Sequence, residues 1–175
     1  PEFAELVFKN KGQVRPERQD GAVLVHFGNH QTLRIDPADY SPEKKLADMD
    51  RAGVEYSIIA PNIPGPSDLD YELKEPGARI SNNYTAELCA GRPDRFRGLA
   101  VLPFTSIEAT LSEYRRAIES LGLSGILLLS QLGGGMVDDP YWNPLYEAAA
   151  SDGVPMVIHP TIPTWSEAIH DHAMI

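Results

Sequence analysis

Three segments of the chain repeat the same order of polar and apolar positions, at residues 46–61, 114–130 and 145–160. Each begins with an amphipathic stretch, continues with one glycine and one apolar residue, and ends in a short apolar run. Glycine directly after a helix can adopt the left-handed conformation that satisfies the last carbonyl groups. An uninterrupted apolar run suits a strand covered by helices on both faces of a parallel sheet. The repeats therefore predict helix–strand units of an α/β fold.

The rest of the chain adds a looser fourth unit and a different amino-terminal region. A helix near 80–90 and a strand at 96–102 form the fourth unit. Residues 1–9 predict a short helix, and 21–27 and 30–35 flank Gly28-Asn29 as a β-hairpin. Four buried strands are too few for a closed eight-stranded barrel, which typically takes ~250 residues.

We therefore expect residues 1–175 to form a single partial barrel domain with an inserted hairpin at about 21–36. The abrupt apolar ending at Ile175 favours an incomplete barrel over a complete open sheet. An incomplete barrel is expected to expose the apolar edges of its sheet.

Composition narrows the classes of partner. The chain is 42% hydrophobic and 23% charged, which is ordinary for a globular protein, and its net charge is −10. Mixed charges without a basic patch argue against nucleic acid or an anionic membrane as partner. With no signal peptide and no membrane-length apolar run, a cytoplasmic location is expected. Cys89 is the only cysteine, which excludes an internal disulfide and favours an inert thiol.

His159 is the main candidate for chemistry among five histidines. It ends an apolar strand, and a histidine at the carboxyl end of a parallel strand can bind a metal at the barrel mouth. The alternative is a buried histidine bonded to a backbone group. His26 and His30 bracket the hairpin turn, and His170 and His172 fall on a predicted helix, so surface positions are favoured for all four.

Polar residues after the strands are the candidate substrate contacts, because post-strand loops gather at one edge of a parallel sheet. Asn62, Ser130 and Gln131 are in such positions, and each can equally be an ordinary loop or capping residue. Asp68 and Asp70 also lie in a post-strand loop and could approach the site. The other candidates have simpler interpretations: Asp48 and Asp50 lie on a helix surface, Asp139 at a helix N-cap, and 133–135 in a glycine loop without P-loop spacing.

Several segments together resemble the amidohydrolase-related family that includes aminocarboxymuconate-semialdehyde decarboxylase and the resorcylate-type decarboxylases. They are residues 46–54, 92–96, 98–103, 138–149 and 153–160, in the family's order. The resemblance implies a (β/α)8 TIM barrel with one divalent metal ion, with zinc as the first choice and manganese as the alternative. It also implies a ligand pair on the first strand, a histidine ending the fifth strand, a proton-transfer histidine after the sixth and an aspartate after the eighth. Only the fifth-strand histidine has a counterpart, His159; the pair is expected before Pro1 and the others beyond Ile175.

The leading hypothesis is a metal-dependent hydrolase or decarboxylase acting on a small carboxylated or carbonyl compound, with homo-oligomerisation left open. The 175 residues alone are expected to be inactive, because one histidine cannot hold a catalytic metal. A second hypothesis is a non-catalytic or degenerate half-barrel that pairs with another chain. A third is an open flavodoxin-like sheet that binds an anion at a helix N-terminus.

Overall fold

The amino-terminal region is a helix packed on a small antiparallel sheet. The computed structural model describes residues 2–12, 14–27, 31–36, 39, 41–61 and 64–161. Helix α1 (Glu2–Lys9) is followed by strands β1 (Val14–Gln19), β2 (Ala22–Phe27) and β3 (Gln31–Ile35), in the order β1-β2-β3. The predicted helix and the pairing of the two hairpin strands are confirmed. Strand β1 was not predicted.

The remaining elements alternate between helices and parallel strands. They are α2 (Pro42–Ala52), β4 (Ser57–Ile59), α3 (Tyr71–Gly91), β5 (Phe96–Ala100), α4 (Ile107–Arg115), β6 (Gly125–Leu129), β7 (Gln131–Leu132), β8 (Gly135–Met136), α5 (Asn143–Asp152) and β9 (Met156–His159). A π-helical turn (Arg116–Ser120) extends α4, and 3-10 turns lie at Pro66–Asp68 and Pro140–Trp142. Among these described helices, none combines the length and the apolar character needed to cross a membrane.

The four long units place their strands in one parallel sheet of order β4-β5-β6-β9. Leu99 pairs with Gly125 in the β5–β6 ladder, and Leu129 pairs with His159 in the β6–β9 ladder. Helix residues such as Tyr114, Leu145 and Ala149 form the core against one face of this sheet. This is the α/β arrangement that the repeats predicted, and it is part of the (β/α)8 barrel that the family resemblance implied.

The glycine after each repeated helix has the predicted conformation. Gly53, Gly122 and Gly153 all have φ of 67°. In each case the next amide donates back into the helix: Val54 N to Met49 O at 2.9 Å, Leu123 N to Ala117 O at 3.0 Å, and Val154 N to Ala149 O at 2.8 Å. These bonds satisfy carbonyls at the helix end and fix the direction in which the next strand begins.

Three features differ from the sequence predictions. Helix α3 begins at Tyr71 rather than near 80, and it contains Pro76, a residue that is unfavourable inside a helix. The predicted glycine loop at 133–135 forms part of the β7–β8 hairpin, in which Gly133 and Gly134 adopt positive φ. Burial on both faces holds for much of β5 and β6 but fails for β4 and β9.

The outer strands of the described sheet expose apolar side chains. Ile58 in β4 is 67% exposed and Ile158 in β9 is 60% exposed. The central strand residues Ile126 and Leu128 are at most 2% exposed. The expected exposure of apolar sheet edges is therefore observed, and it gives the two outer strands a different environment from the two central ones.

Candidate functional site

His159 lies at the carboxyl end of β9, where the sequence placed it. Side chains alternate between the two faces of a strand, so His159 shares its face with Val157 and, through the ladder, with Leu129. The opposite face is the one packed on helices, through Ile126 and Leu128. The imidazole is exposed on the face that points away from the helices.

The hydrogen bond of His159 defines its tautomer. Nδ1 lies 2.7 Å from the carbonyl oxygen of Pro160. A carbonyl oxygen can only accept, so Nδ1 must carry the hydrogen, and in the neutral ring Nε2 then keeps its lone pair. A backbone carbonyl on one ring nitrogen is the usual arrangement for a histidine that binds a metal through the other. His159 therefore has the chemistry of a metal ligand.

Ser130 fastens the end of β6 to the end of β9. Its amide donates to the carbonyl oxygen of His159 at 3.1 Å, and its hydroxyl accepts from the amide of Thr161 at 3.1 Å. Gln131 follows in β7, half-buried and paired with Met136. Of the predicted substrate contacts, Ser130 thus lies beside His159 in space and also has a structural role, and Gln131 is the next residue after it. Asn62, the third, lies outside the described residues.

The segment after β5 contains a strained residue that the sequence did not reveal. Phe104 has φ of 49°, which is uncommon for a bulky side chain. Its ring packs edge-on against Trp142, with the centroids 5.2 Å apart. A Cβ atom on Gly133 would lie 2.9 Å from the Trp142 ring and 3.0 Å from the Phe104 carbonyl oxygen. The segments after β5 and β6 are therefore locked together, at the cost of backbone strain.

Asp68 and Asp70 follow β4 but have different surroundings. The Asp68 carboxylate accepts from the Gly65 amide at 2.8 Å, and burial raises its pKa although that bond and Lys74 oppose the rise. Burial also lowers the pKa of Lys74. Asp70 instead accepts from the Lys11 amide at 2.6 Å, which joins it to the amino-terminal region. Of this pair, only Asp68 is a desolvated acid at the carboxyl ends of the strands.

An open cleft of about 440 Å³ lies at the opposite, amino-terminal ends of the strands. Its lining residues are Asp50, Gly53, Val54, Glu55, Tyr56, Asp94 and Arg95. Arg95 donates to the carbonyl oxygen of Glu55 at 2.8 Å and to Asp50 at 2.7 Å. Its donors are thus bonded within the protein. We interpret this cleft as structural, since barrel sites are built at the carboxyl ends of the strands.

The remaining candidates have the simpler roles expected for them. His26 is within 2.9 Å of the Thr32 hydroxyl on the neighbouring strand. Asp48 pairs with Arg51 on the surface of α2, and Asp139 accepts from the Tyr141 amide at 2.9 Å as an N-cap. Cys89 is partly buried and its thiol pKa is raised by burial, which fits an inert thiol. His30, His170 and His172 lie outside the described residues.

The described residues do not by themselves form a metal centre. Across 2–161 with its gaps, no three His, Cys, Asp or Glu side chains are grouped so that they could hold an ion. A catalytic zinc site typically uses three protein ligands. His159 therefore fits a metal site as one ligand, and such a site needs further ligands.

Comparison with known proteins gives the same family as the sequence motifs. The model of the Amidohydrolase family matches residues 23–175. The gamma-resorcylate decarboxylase of Polaromonas sp. strain JS666 is 33% identical over 179 aligned residues, which cover 88% of this chain and 54% of that protein. The 2-amino-3-carboxymuconate-6-semialdehyde decarboxylase of Dictyostelium discoideum is 30% identical over 130 residues, covering 72% and 35%.

A solved structure agrees with these relatives. The dihydroxybenzoic acid decarboxylase of Polaromonas sp. JS666, with bound manganese and the inhibitor 2-nitroresorcinol, superposes with a TM-score of 0.67 at 29% identity. The superposition covers 76% of this chain and 42% of that one, so this chain spans about half the length of the relatives it matches. The resemblance inferred from the motifs is confirmed: the chain belongs to the amidohydrolase family.

Proposed function

We propose that this chain is part of a metal-dependent decarboxylase that acts on a small carboxylated aromatic compound. The observation that carries the proposal is His159, at the carboxyl end of a barrel strand in the tautomer that leaves Nε2 available to a metal. Its support from related proteins is that several are decarboxylases, including one for gamma-resorcylate. Between the two reactions predicted from sequence, these relatives favour decarboxylation over hydrolysis.

The residues present would contribute binding and orientation. His159 would supply one ligand, its ring held by the Pro160 carbonyl. Ser130 would keep that ligand in place through its bond to the His159 carbonyl, and its hydroxyl and Gln131 are the proposed substrate contacts. When bound, a divalent ion supplies positive charge and Lewis acidity for a carboxylate and a neighbouring oxygen. Manganese is the first ion to test because a related structure contains it, and zinc is the second.

The test is the substitution of His159 in the full-length protein. We expect His159→Ala to weaken metal binding by at least about 100-fold, as even loss of a residue that only orients a ligand costs 10–100-fold. Decarboxylation of 2,6-dihydroxybenzoate should be lost with it. Metal content is measured by elemental analysis after dialysis, and activity by loss of substrate absorbance with manganese or zinc supplied.

The matched control is His26→Ala, which removes an imidazole from the amino-terminal sheet, bonded to Thr32. This variant should keep both metal and activity. Full metal occupancy in His159→Ala would remove the assignment of this residue. A wild-type protein that binds metal but releases no CO2 from any carboxylated aromatic would remove the proposed reaction.

A half-barrel that pairs with another chain is the second candidate, favoured by the exposure of Ile58 and Ile158 on the two outer strands. It predicts a stable, metal-free dimer in size-exclusion chromatography. A monomer with about one metal ion per chain would exclude it. A cytoplasmic location and a small-molecule substrate belong to the decarboxylase proposal.

A further inference from the structure

A fully buried asparagine on α3 binds the backbone just beyond β5. Asn82 is 0% exposed. Its Oδ1 accepts from the Val101 amide at 2.9 Å, and its Nδ2 donates to the Val101 carbonyl oxygen at 2.9 Å. Both backbone groups of one residue are thus bound by one side chain, which is the pattern that a neighbouring strand would provide.

The position of Val101 explains the need for such a partner. The ladder between β5 and β6 ends at the pair of Ala100 and Ile126. The next backbone groups lie in a buried region, since Val101 is 7% exposed and Leu102 is 2% exposed. Buried amide and carbonyl groups require hydrogen bonds. Asn82 therefore continues the backbone pairing of β5 beyond the end of its ladder with β6.

A buried ion pair fixes the orientation of the Asn82 amide. Nδ2 also donates to Glu113 Oε1 at 2.7 Å, and Glu113 is 4% exposed. Arg116 donates to both oxygens of this carboxylate, at 2.8 and 2.7 Å. Because a carboxylate held by arginine only accepts, the NH2 group of Asn82 must face Glu113 and its oxygen must face the Val101 amide. Arg116 thus fixes the Glu113 carboxylate, and Glu113 in turn fixes the orientation of the Asn82 amide.

Val101 leads directly into residues 103–106, which we call the site rim. Continuing the parallel register from Ala100 and Ile126 puts Pro103 level with Leu129, which pairs with His159. The next residue, Phe104, adopts φ of 49° and is locked against Trp142 and Gly133. A shift of the Val101 backbone would therefore move a strained segment at the same level as His159.

We propose that Asn82 is a positioning residue, which acts through the Val101 backbone to set the geometry of residues 103–106 beside the His159 site. The inference deepens the proposed function and rests on it for its effect on activity. Asn82 contacts no reacting group in this role. Its alternative role is stability alone, with no particular effect on the rim.

Hydrogen exchange tests the backbone effect without any assay of activity. In Asn82→Leu, which removes all three bonds at similar volume, we expect the amides of residues 101, 102 and 104–106 to exchange at least about tenfold faster, as 1.4 kcal/mol corresponds to a factor of ten. Amides of Ile126 and Leu128, on the neighbouring strand, should change only with the global unfolding free energy. Equal acceleration everywhere, or none at the rim, would overturn the proposal.

Asn82→Asp serves if Asn82→Leu does not fold. It keeps an acceptor for the Val101 amide and loses both donated bonds, and it adds a carboxylate beside Glu113. We expect the same faster amide exchange at the site rim. This acceleration should become smaller as the pH is lowered, because the new carboxyl group then takes up a proton that it can donate. A pH-independent pattern spread over the whole chain would count against the proposal.

Kinetics of the full-length protein then test the consequence for the site. At a temperature where both proteins are folded, Asn82→Asp should lower kcat/KM for 2,6-dihydroxybenzoate about tenfold or more, since small misplacements cost up to about 100-fold. The matched control is Ile126→Val, which removes a methylene group from the buried, helix-facing side of β6 and should stay within about twofold. If Asn82→Asp and Ile126→Val have equal melting temperatures and lose kcat/KM equally, Asn82 has only a structural role. A wild-type protein without decarboxylase activity would instead remove the proposed function, and the exchange experiment would still decide the backbone effect.

Discussion

The two ends of the parallel sheet use polar groups for different purposes. At the amino-terminal ends, Arg95 donates to the carbonyl oxygens of Glu55 and Val54, so its charge closes a turn. At the carboxyl ends, His159 has an available ring nitrogen and Phe104 is held in a strained conformation. One end of the sheet thus has a charge that is bonded within the protein, and the other has a strained residue and an available ring nitrogen. This is the division expected between the stabilising and the functional face of a barrel.

The largest difference between the two ends is expected in the unfolding free energy that is lost when a glycine is replaced by alanine. Gly133→Ala forces a Cβ to 2.9 Å from Trp142, at a residue with φ of 58°. We expect it to lower the free energy of unfolding by about 3 kcal/mol, as the left-handed conformation costs roughly 1–2 and overpacking 1–3. Gly53→Ala has φ of 67° with nothing within 4 Å, so only about 1 kcal/mol is expected. Urea denaturation of both variants measures this, and equal losses would mean that the rim segments are not tightly packed together.

A smaller effect is expected from Arg95. Its side chain is 18% exposed and its bonds close the turn before β4. Arg95→Met should cost about 1.5 kcal/mol of unfolding free energy, the lower end of what hydrogen bonds involving a charged group contribute. In the full-length protein kcat should not change.

Arg51→Met is the matched control, because Arg51 is 78% exposed and pairs with Asp48 at the helix surface. Arg51→Met should lower the free energy of unfolding by less than about 0.5 kcal/mol. An Arg95 variant with normal stability and lost activity would contradict the assignment of the amino-terminal end to stability.

The smallest effect concerns how the two ends respond to pH. Burial raises the pKa of Asp68 at the carboxyl end above its ordinary 3.8, so the folded state holds this proton more tightly than the unfolded chain. Its contribution to stability is present at low pH and is lost as the pH rises from 3.8 through the raised pKa. Asp68→Asn should therefore be at least as stable as the wild type at pH 7, and its melting temperature should fall less between pH 4 and 7.

Asp94, at the amino-terminal end, should behave in the opposite sense. Its hydrogen bond with Arg92 lowers the pKa of this carboxyl below the ordinary 3.8. Its contribution is present above that ordinary value and is lost as the pH falls through the lowered pKa. Asp94→Asn should thus be less stable at pH 7 by a small amount and lose less on acidification. Variants with the same sign of pH response would show that the two ends do not differ electrostatically.

The sequence predicted the elements whose determinants are local. The helix, glycine and apolar run appear directly in residues 46–61, and Gly53 has the expected conformation. Strand β1 escaped prediction because its residues, Val14–Gln19, are mostly polar and include a proline. The start of α3 escaped because Pro76 favours a break, whereas packing of Ala78, Ser81 and Asn82 keeps the helix continuous.

The site was predictable only in part, for the same reason. His159 could be placed from a strand end and the family motifs. The strain at Phe104 arises from contact with Trp142, and the role of Asn82 requires Glu113, which is 31 residues away. Such contacts depend on tertiary packing and leave no pattern in the neighbouring sequence.

The matching helix ends after α2 and α5 have a consequence for recombination. Because Gly53 and Gly153 share a φ of 67° and the same pattern of backbone bonds, the chain leaves these two helices in the same way. A crossover between homologous genes at such a glycine would join two units with matching exit geometry. Chimeras with Polaromonas gamma-resorcylate decarboxylase could therefore exchange the segment between these two glycines.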